Sequence, residues 1–271
     1  MPNAVFVQVA QILRAVLLLA SALMVVKLWR TGLHRRYPVF FAFVIFRIPN
    51  SIWPFYVEIT SDAYFYFWII TEPVAQIFYL LLVAELYQSV LERYKGLYTL
   101  GRWVMYSSVA IAITISALTL IPNINPTVPE HSRYMFYCIA VERGLETALA
   151  LFIILILCFV SFFPLRLPRN VRVHALVFSI YFLSSTFVLL MRTLFGTTFS
   201  YAVNTTAVLG VSAASMIAWL TLLRSAGEDA QHVAAPLPPE QESRLLTQLD
   251  AINAALLKSG KRHNSQFSST R

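Results

Sequence analysis

This chain predicts an all-α polytopic membrane protein: seven transmembrane helices, N-terminus outside and C-terminus cytoplasmic. Three observations carry that expectation. Hydrophobic residues make up 58% of the 271 and charged residues 13%, against roughly half and a quarter in soluble domains. Seven stretches are apolar over the roughly 20 residues that a spanning helix requires. The loops between them are basic on one side of the bundle and acidic, mixed or uncharged on the other.

The expected spans run, in order, over about Val5 to Leu28, Tyr37 to Val57, Ala63 to Leu91, Trp103 to Ile121, Tyr134 to Phe163, Val173 to Phe195 and Tyr201 to Leu223. The first, third and fifth loops hold Lys27, Arg30, Arg35 and Arg36, then Arg93, Lys95 and Arg102, then Arg166, Arg169 and Arg172. The second holds Glu58 and Asp62, the fourth Glu130 and Arg133, and the sixth no charge. Basic loops stay in the cytoplasm, so each odd loop gives the same orientation. The net charge of +8 is accounted for by these flanks, and nucleic-acid binding is not expected. Ala20-Ser21-Ala22 has the form of a signal-peptide cleavage site. Without a basic n-region before Arg14, and with the later loops opposing inversion, the first span is read as an uncleaved anchor.

Tyr56, Tyr64, Tyr66, Trp68, Trp103, Tyr134 and Tyr137 crowd the span ends, where aromatic rings settle at headgroup level. Pro49, Pro54 and Pro73 fall inside spans two and three, where each removes a backbone donor. Gly210 and Ala214 form a small-xxx-small pair, read as close helix packing. Cys138 and Cys158 stand twenty positions apart on one helix, roughly 30 Å, which is too far to pair.

After a transmembrane domain of residues 1–224, residues 225–239 read as a linker. Residues 240–259 read as a cytoplasmic amphipathic helix, with Leu245, Leu249, Ile252 and Leu256 on one stripe as a candidate partner surface or self-association face. Residues 260–271 read as a disordered basic tail.

Charged residues also lie inside the spans. Arg14, Arg47, Glu72, Glu142 and Arg143 fall about 12–15 Å from the outer ends of their helices. Glu146 is one turn deeper, and Arg192 is shallower. Each such charge costs on the order of 2.5–3.5 kcal/mol at the bilayer centre, so the group should pair or line a wet cavity. Glu72, Gln76 and Tyr79 share one face; Gln8, Gln11 and Arg14 another; Arg47, Asn50 and Ser51 a third. Four arginines against three glutamates leave one positive charge over. The candidate ligand-binding set is Arg14, Arg47, Glu72, Gln76, Glu142, Arg143, Glu146 and Arg192, open to a small anionic or zwitterionic ligand from outside. The competing reading is a closed ion-pair network that fixes helix order. Glu85, near the inner end of span three, is expected to pair with an arginine there, the alternative being a place on a proton or cation pathway.

No span carries the mid-helix lysine of a retinal protein in the last helix, and the five histidines lie in loops, span ends or the tail. No metal, cofactor or catalytic residue is expected, and Ser212 and Ser215 have no intramembrane base. The run Glu85-Leu86-Tyr87, Glu92-Arg93-Tyr94-Lys95-Gly96-Leu97, Leu100-Gly101-Arg102-Trp103, with the tail run from Leu245 to Asn253, resembles uncharacterised bacterial seven-span proteins with a short cytoplasmic helical tail. That resemblance implies a bacterial inner-membrane protein and no activity. The leading functional expectation is a non-enzymatic, receptor-like sensor in the lipid bilayer that signals through its tail to a cytoplasmic protein partner. The alternatives are a small-solute or proton-coupled transporter and a structural or assembly subunit of a membrane complex.

Overall fold

The computed structural model describes residues 2–57, 61–91, 103, 106–108, 110, 111, 114, 130–162, 167–195, 201–228, 231, 232, 243, 244, 246–255 and 258. Among the described residues six long helices form the bundle: α1 (Pro2–Arg30), α3 (Pro38–Tyr56), α4 (Asp62–Leu91), α5 (Glu130–Phe162), α6 (Arg169–Phe195) and α7 (Tyr201–Leu222). A four-residue helix, α2 (Leu33–Arg36), joins α1 to α3. Five of these helices are long and apolar enough to cross a membrane: α1, α3, α4, α6 and α7. The expected fifth span coincides with α5, a 33-residue helix. The expected fourth lies largely outside the described residues.

The described helices pack as a ring. Each of α1, α3, α4, α5, α6 and α7 contacts the next, and α7 closes on α1 over the most extensive contact of all. The physical basis is visible along α1. Arg14, Leu17, Ser21, Met24 and Leu28, at spacings of three and four, point inward and are buried. Ile12, Leu19, Leu23 and Val26 are equally apolar and face out. A helix apolar on both faces suits a bundle in lipid, where the outer face meets hydrocarbon rather than water. Gln8 and Gln11, expected beside Arg14 on its face, are exposed; only Arg14 turns inward. The expected close packing holds at Gly210, which faces Leu13 where α7 packs on α1, and not at Ala214. Ala214 is exposed, and a methyl group added to Gly210 would stop 4.0 Å from Leu13.

Chain reversal between α1 and α3 depends on Gly32, which adopts the left-handed conformation (φ 73°) that costs other residues a steric penalty. Pro38 opens α3, where its missing N–H costs nothing. The next two amides of that helix, Val39 and Phe40, donate to the two carboxylate oxygens of Glu85 on α4 at 2.9 and 3.1 Å. The arginine partner expected for Glu85 is therefore replaced by a helix N-terminus, whose amides and dipole also favour a carboxylate. Pro49, Pro54 and Pro73 remain inside continuous helices.

The segment read as a linker begins with structure. A 3₁₀ turn spans Ser225–Gly227. Strand β2 (Gln231–His232) then pairs antiparallel with β1 (Leu167–Pro168), Leu167 opposite His232. In the tail, residues 246–255 are helical. Leu249 is 0% exposed and Ile252 46% exposed, so the predicted stripe is covered at one position and open at the other. Leu245 and Leu256 lie outside the described residues.

Candidate functional site

Two polar regions stand inside the bundle. The first lies about halfway along it, on α3, α4, α5 and α6. Arg47 of α3 interacts with Glu72 and Tyr79 of α4 and with Tyr181 of α6, and its guanidinium lies 5.7 Å from the centre of the Phe43 ring. Gln76 Nε2 donates to Glu72 Oε1 at 2.8 Å, as residues four apart on one helix face can. The hydroxyls of Tyr79 and Tyr181 bond to each other at 2.6 Å. Glu146 of α5 enters from the other side, close to Glu72 and to Ser185 of α6. Glu142 is near Tyr181 and Cys138.

Of the residues expected here, Arg47, Glu72, Gln76, Glu142 and Glu146 are brought into one neighbourhood. Arg143 is half-buried next to Glu142 on α5. Arg14 is 7% exposed on α1 and makes no hydrogen bond or ion pair with this group among the described residues. Arg192 belongs to α6, but its side chain lies outside the described residues. Tyr181, Ser185 and Cys138 were not expected in the layer. Tyr181 and Ser185 are four apart on α6, a spacing that signals a shared polar face.

This layer is incompletely paired. Glu146 is 1% exposed and Gln76 8% exposed. Both oxygens of Glu146, Oε1 of Gln76, Nε of Arg47, Oδ1 of Asn50 and Nε1 of Trp53 are buried without a hydrogen-bond partner. Native proteins leave few such groups, because each costs about 1–3 kcal/mol. Among the described residues no group of three or more His, Cys, Asp or Glu side chains converges as a metal-ligating set.

The second region closes the basic end of the bundle. Asn170, fully buried at the start of α6, donates from Nδ2 to the Arg224 carbonyl and to Glu228 Oε1, each at 2.7 Å. Its Oδ1 accepts from the Arg224 amide at 3.3 Å. Glu228 Oε1 also accepts from the Tyr37 hydroxyl at 2.8 Å, and Arg36 approaches Oε2 at 3.9 Å. Burial, followed by the negative charge and hydrogen bond of Glu228, pushes the Tyr37 hydroxyl well above its ordinary pKa. Gly227 packs so closely on Asn170 that an added Cβ would come within 2.3 Å of Oδ1. Around this knot, His174 is enclosed by the rings of Tyr37, Phe40, Phe178 and Trp219. On the neighbouring pair of helices, Lys27 Nζ of α1 donates to the Leu220 carbonyl of α7 at 2.5 Å. Nothing in the sequence marked Asn170 or Glu228, apart from Glu228 being the first acidic residue after the last span.

The fold and these side chains define a helical membrane protein with an under-paired polar layer inside its bundle. No family model, curated protein or solved structure matches the chain.

Proposed function

We propose that this protein is a non-enzymatic, receptor-like sensor of a bacterial inner membrane, with seven spans and the N-terminus outside. A small zwitterionic or anionic ligand enters the polar layer from outside, and the tail passes the change to a cytoplasmic partner. The unpartnered buried atoms around Arg47, Gln76 and Glu146 carry this reading: they are donors and acceptors held out of water with nothing to bond. The knot at the basic end supports the output side, because it ties the start of the tail (Arg224, Glu228) to Tyr37 before α3 and to Asn170 at the start of α6. Relative movement of those helices is transmitted to the tail through short polar bonds.

Native mass spectrometry of the gently purified protein, beside an Arg47→Ala/Arg143→Ala variant, tests this. The expected result is a copurifying small molecule that is lost from a still-folded variant. Absence of any adduct, together with a variant that unfolds readily, would make the layer structural and favour an assembly role. A carrier requires the layer to be reachable from both sides. Cysteine labelling at position 47 from one side only is the outcome expected of a sensor.

A further inference from the structure

The unpartnered atoms of the polar layer divide unevenly by chemistry. Four are acceptors: both oxygens of Glu146, Oε1 of Gln76 and Oδ1 of Asn50. One is a donor, Nε of Arg47, while Nε1 of Trp53 lies nearly two turns further along α3, where its ring stacks on Phe67. Arg47 already faces Glu72, Tyr79 and Tyr181. Among the described residues Glu146 has only the Ser185 hydroxyl beside it as a donor. It is buried between Ser185 and another carboxylate, Glu72, and no ion pair reaches it among the described residues. Gln76 gives one of its two amide N–H groups to Glu72, and its carbonyl oxygen has no partner. Counting charges along the sequence leaves a cation in excess, yet the most deeply buried ionisable member of the layer, with no ion pair among the described residues, is a carboxyl group.

The group that complements this corner brings several N–H donors and a positive charge. A primary ammonium has three donors and no acceptor. The hydroxyl-paired rings of Tyr79 and Tyr181 flank the same layer, and aromatic faces attract ammonium ions. We infer that Glu146, with Gln76 and Ser185, forms an ammonium subsite, which takes the protonated primary amine of a small organic molecule while the acidic end of a zwitterion faces Arg47. The inference rests on the ligand-binding reading and gives that ligand a chemical class and a direction. The same chemistry is found in a free amino compound and in an ethanolamine lipid headgroup.

The test uses the full-length protein in nanodiscs of phosphatidylcholine and phosphatidylglycerol, with thermal unfolding followed as ethylamine, β-alanine or propionate is added. Ethylamine and β-alanine are expected to raise the unfolding temperature by about 3–5 °C at tenfold saturation, and propionate to have no effect. Glu146→Gln, near-isosteric and neutral, is expected to stay folded and to lose the ethylamine response. If it does not fold, Gln76→Leu, which removes one acceptor, is expected to weaken the ethylamine midpoint at least threefold. A headgroup source would show instead as a rise with phosphatidylethanolamine nanodiscs, lost in Glu146→Gln, and little response to free amines. A response to propionate alone, or an ethylamine response unchanged in Glu146→Gln, would overturn the ammonium subsite and leave the pocket standing. No response to any probe or lipid, with no copurifying adduct, would remove the pocket as well.

Discussion

At the basic end of the bundle, Asn170 makes three hydrogen bonds, and Glu228 Oε1 accepts two. Halfway along, Glu146 is as deeply buried as Asn170 and has only the Ser185 hydroxyl beside it, with neither oxygen in a well-formed hydrogen bond. Both regions bring polar side chains from several helices into an apolar interior, but they solve the desolvation problem in opposite ways. The knot pairs Asn170, Glu228 and the Arg224 backbone internally, and so contributes rigidity, while Nε2 of His174 and Nε1 of Trp219 beside it are buried without a hydrogen-bond partner. The layer leaves groups unsatisfied, which is costly in a resting protein and useful in one that gains partners from a ligand. Polar residues alone therefore do not mark a functional site inside a bundle.

The largest expected effect comes from breaking the knot. Asn170→Ala removes three bonds and strands Glu228 and the Arg224 backbone, at a cost of about 3–4 kcal/mol, measurable as a lower unfolding temperature in nanodiscs. The opposite sign is expected in the layer. Glu146→Met removes two unpartnered oxygens and should stabilise the unliganded protein by about 1–3 kcal/mol. If both substitutions destabilise alike, the contrast between the regions is wrong. Glu85→Ala falls between them. It takes the carboxylate off the Val39 and Phe40 amides and should cost about 1–2 kcal/mol, with protection of those amides from hydrogen exchange falling first.

The smallest effect is a pH dependence. The hydroxyl of Tyr37 holds its proton more tightly folded than unfolded. Its contribution is therefore complete below the ordinary tyrosine value near 10 and is lost as the pH climbs above that, because only the unfolded state ionises readily. Stability should decline above about pH 10, with a shallower decline in Tyr37→Phe. Equal slopes in the two proteins would remove Tyr37 from the linkage.

Much of the architecture was legible in the chain. Apolar length gave the long helices, because a spanning helix must satisfy its own backbone and needs about 20 residues to do so. The face shared by Glu72, Gln76 and Tyr79 followed from helical spacing, and these residues do enter the layer together. The finer assignments on α1 failed at Gln8 and Gln11 for a physical reason. When both faces of a helix are apolar, periodicity no longer says which one turns inward. Glu85 was misassigned because a backbone N-terminus competes with arginine as a carboxylate partner and carries no side-chain signature. The knot could not be read at all: its bonds join residues as far apart as Tyr37 and Glu228, and Asn170 resembles any other helix-start asparagine.

The sequence by itself determined a helical membrane protein, the candidate charged residues and the basic flanks, since these depend on composition and local spacing. Only the tertiary structure decided how the helices close into a ring and which polar atoms find partners. Pairing is a property of distances between helices, and no single helix carries that information. It is this difference that separates Asn170, whose bonds are made, from Glu146, whose bonds are still open.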